Sequence, residues 1–360
     1  MIIVVHNIMD YSYPLLRKIF NHYKQEGKDL SDFHLYSCQH LLAPQYEMYK
    51  MFIEFGLKPS NIFALGKAYS SNIEVIKELK DLGINVSQPK FTSISFDIEH
   101  ANNCRGVIKN ISADDKNIIL DDGGYLIEAL KDKAVRFAVE QTSSGFRKLN
   151  GVNLNFPVIN VARSKTKLTQ ESPIIARIIF ERVETYVQDN SIDSPKFLVI
   201  GLGPIGNSIL QILTENNLRS KGLDIEASEE DVVSYLKKEE PDIVIGATGV
   251  PILSKASLNT LEGKHIFHFI SVSSSDREFP VASFRNGNRV HDDIKYKNLV
   301  FVNNGFPITF KGNKYESTPL EIEKTIGLLM GSVLHGIVNE FGDQKGIVDV
   351  PKELENLVNS

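Results

Sequence analysis

The sequence predicts a two-domain α/β fold. Three observations carry this. The chain has 360 residues, too many for one small core. Strand-like and helix-like segments alternate along most of it. In the second half, a glycine-rich turn separates a buried-strand run from an apolar-periodic helix. Composition agrees: 42% apolar and 24% charged residues are ordinary for a folded globular chain and argue against disorder, collagen and coiled coil.

In the first half, DFHLYSC at 32–38 reads as a strand, and the segment from Pro44 as a helix with proline in its first turn. NIFALG is a short apolar strand. NIEVIKELKDLG has one apolar helical face and a glycine stop. INVSQ resumes as a strand, and FDIEHANNCRGVIKNI reads as a helix. NIIL ends in the polar turn DDGG; VRFAVEQTSSG and PVINVARS repeat that strand-to-turn pattern. Repeated strand–helix–strand order predicts a mostly parallel sheet covered on both faces. A helix at about 170–190 leads to the second half, where PKFLVIGLGPIG, PDIVIGATG, HIFHFISVSSS and NLVFVNNG are further strand–turn units. A helical tail from Pro319 to Val338 is expected to return to the first domain. The boundaries read as 1–168 for a substrate domain, 169–310 for a nucleotide-binding domain and 311–360 for the returning segment.

Net charge and cysteines bound the partners. Forty Lys+Arg against 45 Asp+Glu leave a formal charge of −5, which argues against a nucleic-acid backbone as partner. The two cysteines, Cys38 and Cys104, form neither a disulfide framework nor a zinc-type spacing, so a reducing compartment and no metal are expected. The N-terminal MIIVVHNIMDYSYP lacks the basic start of a signal peptide, and no run approaches the ~20 apolar residues of a membrane helix, so the reading is cytoplasmic with no membrane partner.

FLVIGLGPIGNSILQIL carries the sharpest chemistry. Gly201, Gly203 and Gly206 form GxGxxG between a strand and a helix, with Pro204 and Ile205 inside the turn. The first glycine permits the tight turn, the second lets the backbone approach a pyrophosphate, and the third lets helix and strand pack closely, with the helix N-terminus facing the phosphates. This is a Rossmann-type dinucleotide signature. Asp224 and Glu226, 18 and 20 residues after Gly206, are candidates for the acid that meets a ribose and favours NAD. Thr248 and Gly249 of GATG end a later strand, where a cofactor would pass.

In the first half, polar residues recur after predicted strands: His40, Asp122, Glu140 with Gln141, and Asn160 with Lys165. That edge of an open α/β sheet is where ligands bind. A lysine buried beside a redox cofactor can take a hydroxyl proton, a carboxylate can take a carbon-bound proton, and a histidine can serve a leaving group.

On these residues the sequence resembles S-adenosylhomocysteine hydrolases, in order from Cys38 to Asn303. ILDDGG resembles that family's catalytic-aspartate segment, EQTSSG its cofactor-contacting segment, INVARSKTK its catalytic-lysine segment, CQH and HIFHF its two histidine segments, and VNNG its nicotinamide-side asparagine segment. The resemblance implies catalytic roles for His40, Asp122, Lys165 and His268. It implies cofactor contacts for Thr142, Ser143, Ser144 and Asn303, and substrate contacts for Gln141 and Thr169. It also implies tightly bound NAD that transiently oxidises a nucleoside hydroxyl to drive elimination or hydrolysis. The chain departs from the family's pattern at Gln141 and Thr169, which replace catalytic acids, and at Leu42 and Pro44, which replace substrate-reading residues. Ile270 replaces the acid of the family's His-Phe-Asp, and the family's basic tail is missing, which implies a dimer rather than a tetramer. The expected function is an adenosylhomocysteinase-like enzyme on a nucleoside-like small molecule. The alternatives are an NAD-dependent dehydrogenase of a nucleoside or sugar-like alcohol, or a non-catalytic NAD-binding regulatory relative.

Overall fold

The computed structural model describes residues 12–24, 30–89, 91–92, 94–109, 111–114, 116–224, 226–313 and 321–360. The apolar start at 1–11 and Pro319 lie outside the described residues. Two compact units emerge, one comprising Met1–Pro89, His100–Glu171 and Ser317–Ser360, the other Lys90–Glu99 and Ser172–Glu316.

The first unit follows the alternation read from the sequence. In chain order it contains α1 (Pro14–Tyr23), β1 (His34–Cys38), α2 (Ala43–Phe55), β2 (Ile62–Leu65), α3 (Ile73–Asp81) and β3 (Asn85–Ser87). Then come α4 (Phe96–Val107, whose first turn falls in the second unit), β4 (Asn117–Asp121), α5 (Tyr125–Ala129), β5 (Phe137–Glu140), α6 (Ser143–Leu149) and β6 (Pro157–Asn160). Asn72 caps α3 through its side chain, and Thr142 caps α6.

The second unit runs through α7 (Ser172–Asp189), β7 (Phe197–Ile200), α8 (Pro204–Glu215), β8 (Ser220–Leu223), α9 (Glu229–Glu239), β9 (Ile243–Gly246) and α10 (Lys255–Asn259). It continues with β10 (Phe267–Ser271), β11 (Ile294–Tyr296) and β12 (Leu299–Phe301). The chain then re-enters the first unit with α11 (Glu323–Val338), β13 (Gly346–Asp349) and α12 (Lys352–Asn359).

The first unit's sheet has seven strands in the order β13-β6-β5-β4-β1-β2-β3, every neighbouring pair parallel. The second unit's sheet has six, β11-β12-β10-β9-β7-β8, parallel except for the β11–β12 pair. Both sheets start in the middle and wind outward in two directions, so each has a switch point: β1/β4 in the first, β7/β9 in the second.

Burial explains the apolar runs. Phe197 and Val199 of β7 pack with α7 and α8 on one face, while Leu198 and Ile200 pack with α9 on the other, so all four residues are buried. Helix α11 is buried almost all round and approaches its neighbours through glycines. A Cβ at Gly336 would lie 2.5 Å from the Phe137 ring, and one at Gly331 2.4 Å from Leu354.

Two segments depart from expectation. LRSKGLDIEAS reads as a poor strand, yet Ser220–Leu223 forms β8, because its backbone pairs with β7 while its side chains remain partly exposed at the sheet edge. The segment that becomes β13 carries no strand expectation; it pairs with β6 at the opposite edge of the other sheet. Among the described residues, no helix is long and apolar enough to cross a membrane.

Candidate functional site

The switch point of the seven-stranded sheet gathers the first unit's charged groups. His40 follows β1, Asp122 follows β4, and Lys67 follows the neighbouring β2. Lys67 donates through Nζ to Asp122 Oδ1. His40 Nε2 lies 3.1 Å from Asp122 Oδ2, and His40 Nδ1 lies 2.5 Å from Ser70 Oγ. Lys67, Ser70 and Asp122 are at most 2% exposed. With its proton on Nε2, the imidazole would face it toward the carboxylate, which only accepts, and leave Nδ1 to accept from the Ser70 hydroxyl.

Burial alone would raise the pKa of Asp122. The charges and hydrogen bonds of Lys67 and His40 together outweigh it and hold the carboxyl far below its usual range. Burial likewise acts to lower the Lys67 pKa, but Asp122, with Tyr69 and Cys38, more than reverses it and raises the ammonium's pKa. His40 moves the other way. Burial lowers its pKa and Asp122 only partly offsets this, so the imidazole is neutral at pH 7.

Further polar groups line this carboxyl edge. Asp121 Oδ2 accepts from the amides of Leu126 and Ile127 at 2.7 and 3.0 Å, and burial pushes its pKa up to about 6. Glu140 Oε1 accepts from Gly123 N, Thr142 N and Thr142 Oγ1 at 3.2, 2.7 and 2.8 Å. Burial, then the Asp121 charge, raises the Glu140 pKa well above the usual value. Both amide atoms of Gln39, Gln141 Oε1 and Asn160 Oδ1 are buried without a hydrogen-bond partner among the described residues. Such groups are costly unless something pairs with them, so these three, at the carboxyl ends of β1, β5 and β6, are candidates to meet a polar ligand.

In the second unit the glycine turn sits at the β7/β9 switch point. Gly201 has φ +96°, and an added Cβ would lie 2.8 Å from Ala247. A Cβ at Gly206 would lie 1.8 Å from the Gly201 carbonyl oxygen, so only glycine fits there. A Cβ at Gly203 would meet open space, leaving the backbone there approachable. Pro204 opens α8, followed by the half-buried Ile205, and the helix N-terminus lies next to the turn. Asp224, just after β8, accepts from Leu202 N at 2.9 Å, which brings it to the same turn; Glu226 is exposed. A cradle that only glycine fits, a helix N-terminus and an acid after the second strand together fit a dinucleotide such as NAD.

The other residues named from the sequence lie as follows. Lys165 is exposed, and the buried lysine of this edge is Lys67. Thr169 is exposed and spends its hydroxyl on the Lys165 carbonyl at 2.9 Å. His268 pairs with Ile243 at the amino end of β10, level with Phe197. That is three residues, or about 10 Å, from the carboxyl edge. Its Nδ1 meets Tyr186 OH at 2.8 Å, and burial lowers its pKa. Asn303 is fully buried and internally satisfied, meeting His291 Nδ1 at 2.8 Å through Oδ1 and donating to Pro307 O at 2.9 Å through Nδ2. Thr142 is occupied as the α6 cap, Ser143 is half-buried and Ser144 buried, all within the first unit. Thr248 and Gly249 donate their amides to Glu278 at 2.6 and 2.9 Å, so these N–H groups already have a protein acceptor.

Sequence pattern alone does not single out Lys67, Ser70, Gln39 or Glu278. GKAYSS after an apolar strand is the available signal for the first two, since glycine and small polar residues mark a tight turn at a sheet's carboxyl edge.

No family model matches the chain. Two uncharacterized proteins of Mycobacterium tuberculosis, one from each of two strains, are 30% identical over 330 residues, covering 84% of this chain and 64% of theirs. The chain therefore spans less than two thirds of the length of these curated relatives. Among solved structures, a dipicolinate synthase of Bacillus subtilis is 13% identical, over 86% of this chain and 96% of that one, with a TM-score of 0.37. A dipicolinate synthase of Bacillus halodurans is 14% identical, over 87% and 100%, with a TM-score of 0.36. A 2-hydroxyacid dehydrogenase of Ketogulonicigenium vulgare is 13% identical, over 77% and 95%, with a TM-score of 0.37.

Proposed function

We propose that the chain is an NAD-dependent enzyme that oxidises a hydroxyl-bearing carbon of a small nucleoside- or sugar-like molecule. The observation behind this reading is the His40–Asp122 pair at the switch point of one sheet, in a chain whose other sheet carries a glycine cradle at its own switch point. Bound NAD would supply the hydride acceptor. Gly201, Gly203 and Gly206 would hold its pyrophosphate, and Asp224 a ribose.

The chain's own groups would handle the proton. His40 is neutral at pH 7 and can accept a proton at Nδ1, the atom that Ser70 now contacts. Asp122 would stabilise the imidazolium, and Lys67 keeps Asp122 ionised. The buried amides of Gln39, Gln141 and Asn160 suit a ligand rich in hydroxyls.

A redox-neutral cycle of the adenosylhomocysteinase type is the second reading. It is favoured by the meeting of His40 and Asp122, two of the four positions to which the resemblance gives catalytic roles. Against it, the Lys67 ion pair makes Asp122 a weak base for a carbon-bound proton. A small-molecule enzyme of this kind is also expected to be a cytoplasmic homodimer without nucleic acid, which light scattering and absorbance of the purified protein would check.

The decisive experiment is mass spectrometry of molecules released on denaturation, followed by turnover of nucleosides and sugars with absorbance monitoring of NADH. Free NADH building up with an oxidised product supports net oxidation. Bound NAD that is reduced and reoxidised, with no free NADH, supports the redox-neutral cycle. Protein that releases no nucleotide and cannot be loaded with NAD refutes both.

A further inference from the structure

We propose that Cys38, His100 and Cys104 form a zinc site in the first unit, independent of the function above. Cys38 ends β1, while His100 and Cys104 are four residues apart on α4 and share one helix face. Their three donor atoms lie within 4.8 Å of one another, and Cys38 Sγ is 3.0 Å from His100 Nε2. Among the described residues, this is the one group of three or more His, Cys, Asp or Glu that converges in this way. All three side chains are buried, and the His100 ring is fixed edge-on against Tyr125, with centroids 5.2 Å apart.

The geometry is close to what zinc needs. Zinc takes sulfur at about 2.3 Å and imidazole nitrogen at about 2.0–2.1 Å, so donors around one ion sit roughly 3.5–3.8 Å apart. Small side-chain rotations bring these three into that range. Two sulfurs and one imidazole exclude magnesium and calcium, which prefer oxygen. Charge then selects among soft ions. Two thiolates carry −2, so a divalent ion leaves a neutral buried site, whereas a monovalent one leaves a buried net charge. Three protein ligands also leave one coordination position open. Zinc takes cysteine sulfur as thiolate, so binding is coupled to release of the thiol protons.

The test uses the whole chain, reduced and stripped with a chelator, then titrated with Zn(II) against a competing chromophoric chelator and separately with Co(II). The expected result is one zinc per chain, about two protons released per zinc, and a thiolate-to-cobalt charge-transfer band. Cys104→Ser should weaken zinc by on the order of 100-fold or more. Reduced wild-type protein that leaves zinc with the competitor and gives no such band overturns the proposal, and this needs no variant to fold. Cys104→Ser binding zinc as tightly as wild type also overturns it.

Discussion

His40 and Asp122 meet at the switch point of the seven-stranded sheet, with Nε2 3.1 Å from Oδ2. The contact favours a proton on Nε2 and opposes the effect of burial on the histidine's pKa. Asp122 in turn depends on Lys67, which occupies its other oxygen. The three groups therefore act as a unit, and changing one should be felt at the others.

Asp122→Asn preserves shape but removes the charge. Lys67 is then left buried without its counter-ion, which should cost about 3–5 kcal/mol of stability in denaturant unfolding. The His40 pKa should fall further, because the Asp122 contribution that raised it is gone. An NMR titration of the His40 ring would show its midpoint below that of wild type. Oxidation of a substrate should slow by roughly 10²–10⁴-fold. A midpoint that rises would refute this coupling.

Glu140→Gln should be nearly harmless at pH 7, within about 1 kcal/mol of wild type. The raised pKa of Glu140 means that its folded form prefers the proton. For such a group, stability is fully present below the unfolded pKa and is lost as pH rises toward the folded one. The wild-type minus variant difference should therefore grow in favour of wild type as pH falls from 7 toward about 4.3. Asp121, at about 6, works in the same direction, while His40, with its lowered pKa, works against it below about 6.5. Both remain in the variant, and because Asp121 interacts with Glu140 the difference reports that pair rather than Glu140 alone. Denaturant unfolding across pH 4–7 is the measurement; a difference that shrinks toward acid would contradict the assignment.

Gly203→Ala and Gly206→Ala separate binding from folding. A Cβ at Gly206 collides with the Gly201 carbonyl oxygen at 1.8 Å, so Gly206→Ala should destabilise by about 1–3 kcal/mol or more. A Cβ at Gly203 touches nothing, so Gly203→Ala should melt like wild type. If the Gly203 backbone approaches a pyrophosphate, however, NAD affinity should drop at least about tenfold. Calorimetry for melting and for NAD binding reads the two effects separately. Unchanged NAD binding in Gly203→Ala would remove the cradle role from that residue.

Local pattern makes much of this legible. Strand runs such as NIIL and FLVI are apolar because both faces of their sheets are covered, and polar turns follow them because the carboxyl edges are where the chain leaves the core. His40 and Asp122 are readable as strand-end residues for that reason. Lys67 is not, because its meaning lies in an ion pair with a residue 55 positions away. His268 misleads because HIFHF reveals a strand but not which end of it reaches the functional edge; only the pairing with Ile243 shows that. Cys38 and Cys104 carry no metal spacing, since they meet across a strand and a helix far apart in sequence.

Glu278 offers the final test because it holds the other switch point without touching the glycine motif. Its fully buried carboxylate accepts from Thr248 N, Gly249 N and Thr248 Oγ1 at 2.6, 2.9 and 3.1 Å, and from Ser271 and Ser273 hydroxyls at 2.6 and 3.0 Å. Gly249 has φ +67°, so the turn it anchors is not one the chain adopts by default. Glu278→Ala leaves several buried donors without an acceptor and should cost about 3–5 kcal/mol. Glu278→Gln keeps one acceptor oxygen for the two amides and can turn its NH2 toward the Ser271 hydroxyl, which accepts as readily as it donates. It should cost only about 1–2 kcal/mol. Thr248 and Cβ-free Gly201 are adjacent, a Cβ at Gly201 falling 2.8 Å from Thr248 Cγ2. A loosened turn should therefore also weaken NAD, with Glu278→Ala losing more affinity than Glu278→Gln in the same order as stability. Equal losses of stability in the two variants would mean that the carboxylate's charge, rather than its acceptor geometry, maintains the turn.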